Sequence, residues 1–224
     1  MFLKNYQNFP KICPVSRTEI LKIRNRCQLS TTDDKCVVQK STDYHEIHKD
    51  FIPQDSRILS KSQFCQLYNW LPEIHQVETP VRGFSSQDHG FSQDFMLAKT
   101  ASFEQVILIF KTTTGYIFGS FLTNWSKKKP DGKINGTGEC FVFCLEPNAK
   151  QYKWIDGNNE LFYYIDQLSL VIGGSGDSTN SAITIKANFS DCQFGKSATY
   201  GLTSPLFDKK SPISDIEVYG YNQN

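Results

Sequence analysis

The sequence predicts an α+β fold: a two-sheet antiparallel β-sandwich flanked by short helices, behind an extended or partly ordered N-terminal arm. Three observations carry this reading. Val106–Phe110 is a continuous apolar, mostly β-branched run of five residues, which suits a strand buried on both faces. A Thr-rich turn ending at Gly115 leads into Tyr116–Leu122, a second run heavy in aromatic and aliphatic residues, so the two form a hairpin at the centre of a core. Further short apolar runs separated by glycine-rich turns follow, and the helix signals lie before the hairpin.

Residues 1–56 form the arm, rich in Lys, Arg, Asp, Ser and Thr with few apolar runs, and residues 57–224 form the domain. The first helix opens on a capping box, Ser60 as N-cap and Gln63 three positions on, with Leu59 and Phe64 placed as a hydrophobic staple. Phe64, Leu67, Tyr68 and Leu71 then share one helical face, and Pro72 ends it. Ser92 caps a second, shorter helix ending near Lys99. Ser126–Gly138 reads as a loop, and Cys140–Leu145 as a buried strand whose two cysteines pack as small apolar residues. Further strands are expected at Leu161–Ile165, Leu168–Ile172, Ile183–Ile185 and Ile216–Tyr221.

Composition narrows the functional classes. With 39% hydrophobic and 13% aromatic residues in 224, the chain can build a substantial core. A formal net charge of +1 argues against a polyanion-seeking surface, and Lys127-Lys128-Lys129 reads as a solvated loop rather than a nucleic-acid patch. No run approaches the roughly 20 apolar residues of a membrane span, and the N-terminus has no secretory pattern. Seven cysteines at irregular spacing leave one over in any disulfide scheme, which favours free thiols in a reducing compartment and a cytoplasmic location. The Asn124, Asn135 and Asn188 glycosylation patterns are then chance matches.

The ordered segments Leu67-Tyr-Asn-Trp-Leu-Pro72, Arg82-Gly-Phe-Ser-Ser-Gln-Asp-His-Gly-Phe-Ser92, Val106–Lys111, Gly115-Tyr-Ile-Phe-Gly119, Phe141-Val-Phe-Cys-Leu145, Ile172-Gly-Gly-Ser-Gly-Asp177 and Asp215-Ile-Glu-Val-Tyr219 resemble the TLDc domain of the oxidation-resistance proteins. The resemblance covers about three quarters of the chain, and its specificity lies in the order and spacing of the pieces. It implies a two-sheet sandwich edged by helices, a role in oxidative-stress resistance, and binding to subunits of the V-type proton ATPase. It implies no catalytic mechanism. Two departures stand out: the short helix after Ser92 lacks the cysteine frequent in relatives, and Pro80-Val81 replaces an aromatic pair.

Few residues point to chemistry of their own. Cys65 and His75 lie ten positions apart and could pair as thiol and base, although ordinary packing is the simpler reading. Gln87-Asp-His-Gly90 reads as turn chemistry. Gly173-Gly-Ser-Gly-Asp177 has no Lys and leads into a strand, so it reads as a sheet-edge turn and not a phosphate cradle. Cys192 sits beside Asp191, a carboxylate expected to raise the thiol pKa. In the arm, Cys27, His45 and His48, with Asp33 or Asp34, could close one zinc tetrahedron; Cys36-x8-His45-x2-His48 resembles the closing half of a B-box, but Ser16 and Ser30 stand where further ligands are wanted. Zinc there and a metal-free remnant both remain open. The leading expectation is a non-enzymatic interaction module acting on the V-ATPase at the cytosolic face of acidic organelles, peripheral to the membrane through its protein partner. The alternatives are a structural component of a cytoskeletal or ciliary complex, and a thiol-dependent antioxidant enzyme using Cys65 or Cys192.

Overall fold

The computed structural model describes residues 56–125, 130–177, 179–207 and 210–222. The arm, with Cys27, His45 and His48, lies outside the described residues, as does the lysine run. Ten strands make two antiparallel sheets among the described residues. The larger holds β1 (Val81–Ser85), β2 (Phe103–Thr112), β3 (Ile117–Leu122), β4 (Phe141–Glu146), β5 (Lys150–Lys153) and β10 (Ile213–Asn222), in the order β1-β10-β2-β3-β4-β5. The smaller holds β6 (Tyr163–Ile165), β7 (Ser169–Ile172), β8 (Ile183–Lys186) and β9 (Cys192–Phe194) in sequence order.

The hairpin forms as its sequence predicts, in register from Val106↔Leu122 to Lys111↔Ile117. Side chains alternate across a strand, and both faces of β2 are covered. Val106, Leu108 and Phe110 enter a core shared with Leu170, Ile172, Ile183 and Ile185 of the smaller sheet. Ile107 and Ile109 point the other way, into a second core with Phe64, Leu67 and Tyr68. Two cores, one on each face, explain why the run has no polar interruption. Each such side chain contributes about 1.5–3 kcal/mol by leaving water. Cys140 and Cys144 are buried in the first core, as expected.

Helix α1 (Lys61–Tyr68) starts on the capping box: Ser60 accepts from the Gln63 N–H and the Gln63 side chain accepts from the Ser60 N–H. It ends at Tyr68, four residues before Pro72. Tighter bonds from the Trp70 N–H to Leu67 O and from the Leu71 N–H to Tyr68 O take over there and bring Leu71 into the same core. A 3-10 turn, Glu73–Val77, and a one-turn helix α2, Ser86–His89, follow. Ser92 caps α3 (Gln93–Lys99) through the Phe95 N–H. Beyond its end, the Thr100 hydroxyl donates to Met96 O and accepts from the Trp125 indole N–H, tying the helix to the exit of the hairpin.

Strands β1, β5 and β9 have no strong sequence signal. β1 and β5 are the outer strands of the larger sheet and carry Arg82, Lys150 and Lys153, charges of the kind that protect exposed edges from further pairing. β9 is only three residues long.

Gly119 in β3 is required by packing. A Cβ there would fall 1.9 Å from the Leu108 carbonyl oxygen and 2.7 Å from the Phe143 ring. Gly119→Ala is expected to destabilise the fold by about 1–3 kcal/mol, because the clash is with backbone. Urea unfolding checks this; an unchanged midpoint would contradict the close approach.

Candidate interaction surface

The end of β1 and the one-turn helix α2 are held against β10 by a polar cluster that the sequence did not disclose. Glu217 lies on the β10 face that also carries Tyr219 and Tyr221, and it is 1% exposed. A carboxylate so buried needs donors. It receives the Ser56 hydroxyl at 2.7 Å, the Arg57 N–H at 2.8 Å, the Tyr219 hydroxyl at 3.2 Å and the Arg82 guanidinium at 3.4 Å. Asp88 then bridges Arg57 at 2.9 Å and Arg82 at 3.4 Å. The Gln87 amide donates to Asp215 at 2.6 Å, and the Ser86 hydroxyl accepts from the Ile216 N–H at 2.9 Å. The outer Arg57–Asp88 pair is exposed and contributes little, whereas the Glu217 node fixes where the chain enters the domain. These carboxylates are occupied by positioning donors and do not converge on an open pocket. One clue was available: Glu217 shares its strand face with two tyrosines, and such a face is seldom left to solvent.

Among the described residues, those singled out as thiol or base candidates are engaged in packing. His75 is 7% exposed, with its ring centroid 4.6 Å from Tyr221 and 5.5 Å from Phe121. Its Nδ1 has no hydrogen-bond partner among the described residues, and burial holds its pKa below the ordinary 6.5 against the opposing pull of Glu78 and Glu139. Cys65 is half-buried on α1 beside the second core. Cys192 is buried and donates to Ser211 O. Its pKa is pushed up to about 11, first by burial and only afterwards by Asp191. The expected direction holds, but the main cause is desolvation. Burial also raises the Cys140 and Cys144 thiols. A thiol so shifted holds little thiolate at neutral pH. His89 accepts the Ser85 N–H on Nδ1 and stacks on Phe84, so it completes the turn that its neighbours predict. Among the described residues, no group of three or more His, Cys, Asp or Glu is placed to hold a metal.

Two exterior features stand out, although Phe95 also meets the His89 ring at 5.6 Å and the Lys99 ammonium at 5.4 Å. At the start of α3, Phe91 and Phe95 are 46% and 43% exposed. The Gln93 N–H bonds Ala187 O, its side chain bonds Asp166 O, and the Ala187 N–H bonds Leu168 O. Those contacts tie the start of α3 to the β6–β7 turn, whose Leu168 is 78% exposed. At the other end of β7, the Gly173–Ser175 loop and Lys196 border an open groove of about 440 Å³. The loop is a connection between paired strands, as its sequence indicates.

The sequence profile of the TLDc domain matches residues 52–222. The chain is 36% identical over 104 residues to TBC1 domain family member 24 of Xenopus laevis, covering 45% of this chain and 18% of that protein. It is 26% identical over 226 residues to GTPase-activating protein skywalker of Drosophila melanogaster, covering 91% and 38%. Against Oxidation resistance protein 1 of Bos taurus it is 25% identical over 218 residues, covering 94% and 24%. The chain therefore spans less than half the length of each of these relatives.

The Glu217 node and His75 each make a test. Glu217→Ala leaves Arg82 facing a buried gap and strands the Arg57 N–H, and should destabilise the domain by about 3 kcal/mol in urea unfolding. A loss near about 0.5 kcal/mol would reduce the node to a surface pair. For His75 the folded pKa is lowered, so stability is complete above 6.5. As pH falls below that value the unfolded chain takes up a proton that the folded chain resists, and stability declines until the folded pKa is reached. His75→Phe should flatten the stability slope below pH 6.5 relative to the parent; parallel slopes would contradict the assignment.

Proposed function

Because the chain belongs to the TLDc domain family, we propose that it is a non-catalytic protein-interaction module that binds and regulates a large cytosolic assembly, the V-type proton ATPase. Through that assembly it contributes to oxidative-stress resistance. The TLDc family is linked to oxidation resistance and to protein interaction. The observation that carries the reading is the placement of apolar surface. Phe91, Phe95 and Leu168 are exposed on segments that the Gln93 hydrogen bonds join, while the ionisable groups of the described interior are paired or desolvated. Aromatic anchors on a fixed scaffold suit a protein partner, since little conformational freedom is lost when they dock. No helix among the described residues is long and apolar enough to cross a membrane. In this reading the module meets the membrane through its partner.

The chain used as bait on detergent-solubilised membranes should recover V-ATPase subunits. A Phe91→Ser/Phe95→Ser double variant should recover about tenfold less with the melting temperature unchanged, because both rings are already half in water. Recovery of no ATPase subunit by the parent chain would overturn the partner. Recovery of a salt-resistant filament instead would move the module to a cytoskeletal assembly.

A further inference from the structure

The groove beside the β7–β8 loop is built more firmly than a strand connection needs. Two residues can close a hairpin, yet residues 173–182 separate Ile172 from Ile183 here. The loop folds against its surroundings through specific bonds. The Gly173 N–H donates to Phe162 O at 2.8 Å, and Gly173 O accepts the Ser197 hydroxyl at 2.6 Å. The Gly176 N–H donates to the Ser181 hydroxyl at 3.1 Å, and the Lys196 N–H to Thr179 O at 2.9 Å. Gly173 has φ +73°, and a Cβ there would meet Tyr200 at 2.6 Å, so only glycine closes this corner.

The polar groups around the groove have settled orientations. Asp177 spends its carboxylate within its own loop, accepting the Thr179 N–H and hydroxyl on Oδ1 and the Asn180 amide on Oδ2. Those bonds hold its pKa below the usual carboxylate range and turn the carboxylate toward its own loop. On the rim, the exposed Asn159 accepts the Leu161 N–H and the Thr199 hydroxyl on Oδ1, and its amide NH2 makes no hydrogen bond with the described residues. Lys196 is exposed on the same groove and forms no ion pair with the described residues. Leu202, buried, and Leu161, half-buried, supply an apolar floor.

We infer that this groove takes the carboxylate of an acidic peptide segment on a protein partner. The Lys196 ammonium and the Asn159 amide donate to the carboxylate oxygens, and Leu161 and Leu202 receive the aliphatic part of the peptide. One lysine suits a single negative charge. A phosphate site would call for an arginine fork or several backbone N–H groups at a helix start. The open side of the groove lets a polypeptide continue past it, as a docking segment must. The inference rests on the interaction reading above and adds the chemistry of a second contact, at the opposite end of β7 from Leu168.

The test is an NMR titration of the 15N-labelled chain with N-acetyl-Leu-Glu-Leu-amide, its Gln counterpart and inorganic phosphate. The Glu peptide should give saturable shifts at the amides of Gly174, Ser175 and Lys196. The Gln peptide, or Lys196→Met in the protein, should weaken binding by about fivefold, and phosphate should bind less well than the Glu peptide. Equal binding of Glu and Gln peptides, tighter binding of phosphate, or no saturable shift at about 10 mM peptide would overturn the inference. A silent groove alongside Phe91- and Phe95-dependent capture removes this inference and leaves the interaction reading standing. Peptide binding by a chain that captures no ATPase removes the named partner and leaves the groove.

Discussion

A strand with water on neither side can satisfy its backbone only through its neighbours, and β2 is such a strand. Across Val106–Phe110, where both faces are buried, its amides and carbonyls are met by β10 and β3, because an unpaired group there would bear its full desolvation cost. That requirement sets the order of the larger sheet. It also divides the apolar residues into two cores, one against the smaller sheet and one against α1. Helices, turns and loops are arranged around this buried centre.

Among the described residues, the carboxylate buried beside this centre, that of Glu217, explains how the exterior is held in place. Glu217 pairs through its backbone with Ser85 and Ile109, so its carboxylate sits between β1 and the middle of the sheet. The donors it requires come from Ser56, Arg57 and Arg82, and Asp88 joins the two arginines outside it. The entry of the chain, the β1 edge and α2 are thereby fixed to the strand that the core depends on most. Downstream of α2, the bonds of Gln93 fix α3 to the smaller sheet. The exposed rings of Phe91 and Phe95 are therefore presented by a stiff support, the condition under which a surface can recognise a partner without a large ordering cost.

How much of this could be read in advance follows from how local each signal is. The hairpin, the Ser60–Gln63 box, the Ser92 cap and the buried Cys140–Leu145 run are contiguous patterns, and each formed where expected. The first helix stopped short of Pro72 because its last turn tightened and let Leu71 reach the core without helical geometry. Edge strands β1 and β5 stayed hidden because their role requires polar residues, which mask periodicity. The Glu217 node left only its strand face as a clue and the Lys196 groove left none, since residues 56, 82, 88 and 217, or 159, 175 and 196, are brought to one place only after the sheets close. The TLDc likeness was legible because order and spacing survive where single motifs are weak.

The chemistry of the exterior depends on the interior being closed, so the closure itself is the claim to measure. Amide hydrogen exchange on the isolated chain, followed across rising urea, reads it residue by residue. The amides of Ile107–Phe110 and their β10 partners should exchange only through global unfolding, with one shared free energy and one urea dependence, while those of Ser86–Gly90 open locally. Exchange of the β2 amides through local opening that is insensitive to urea would contradict a sealed centre, and with it the assignment of function to the surface.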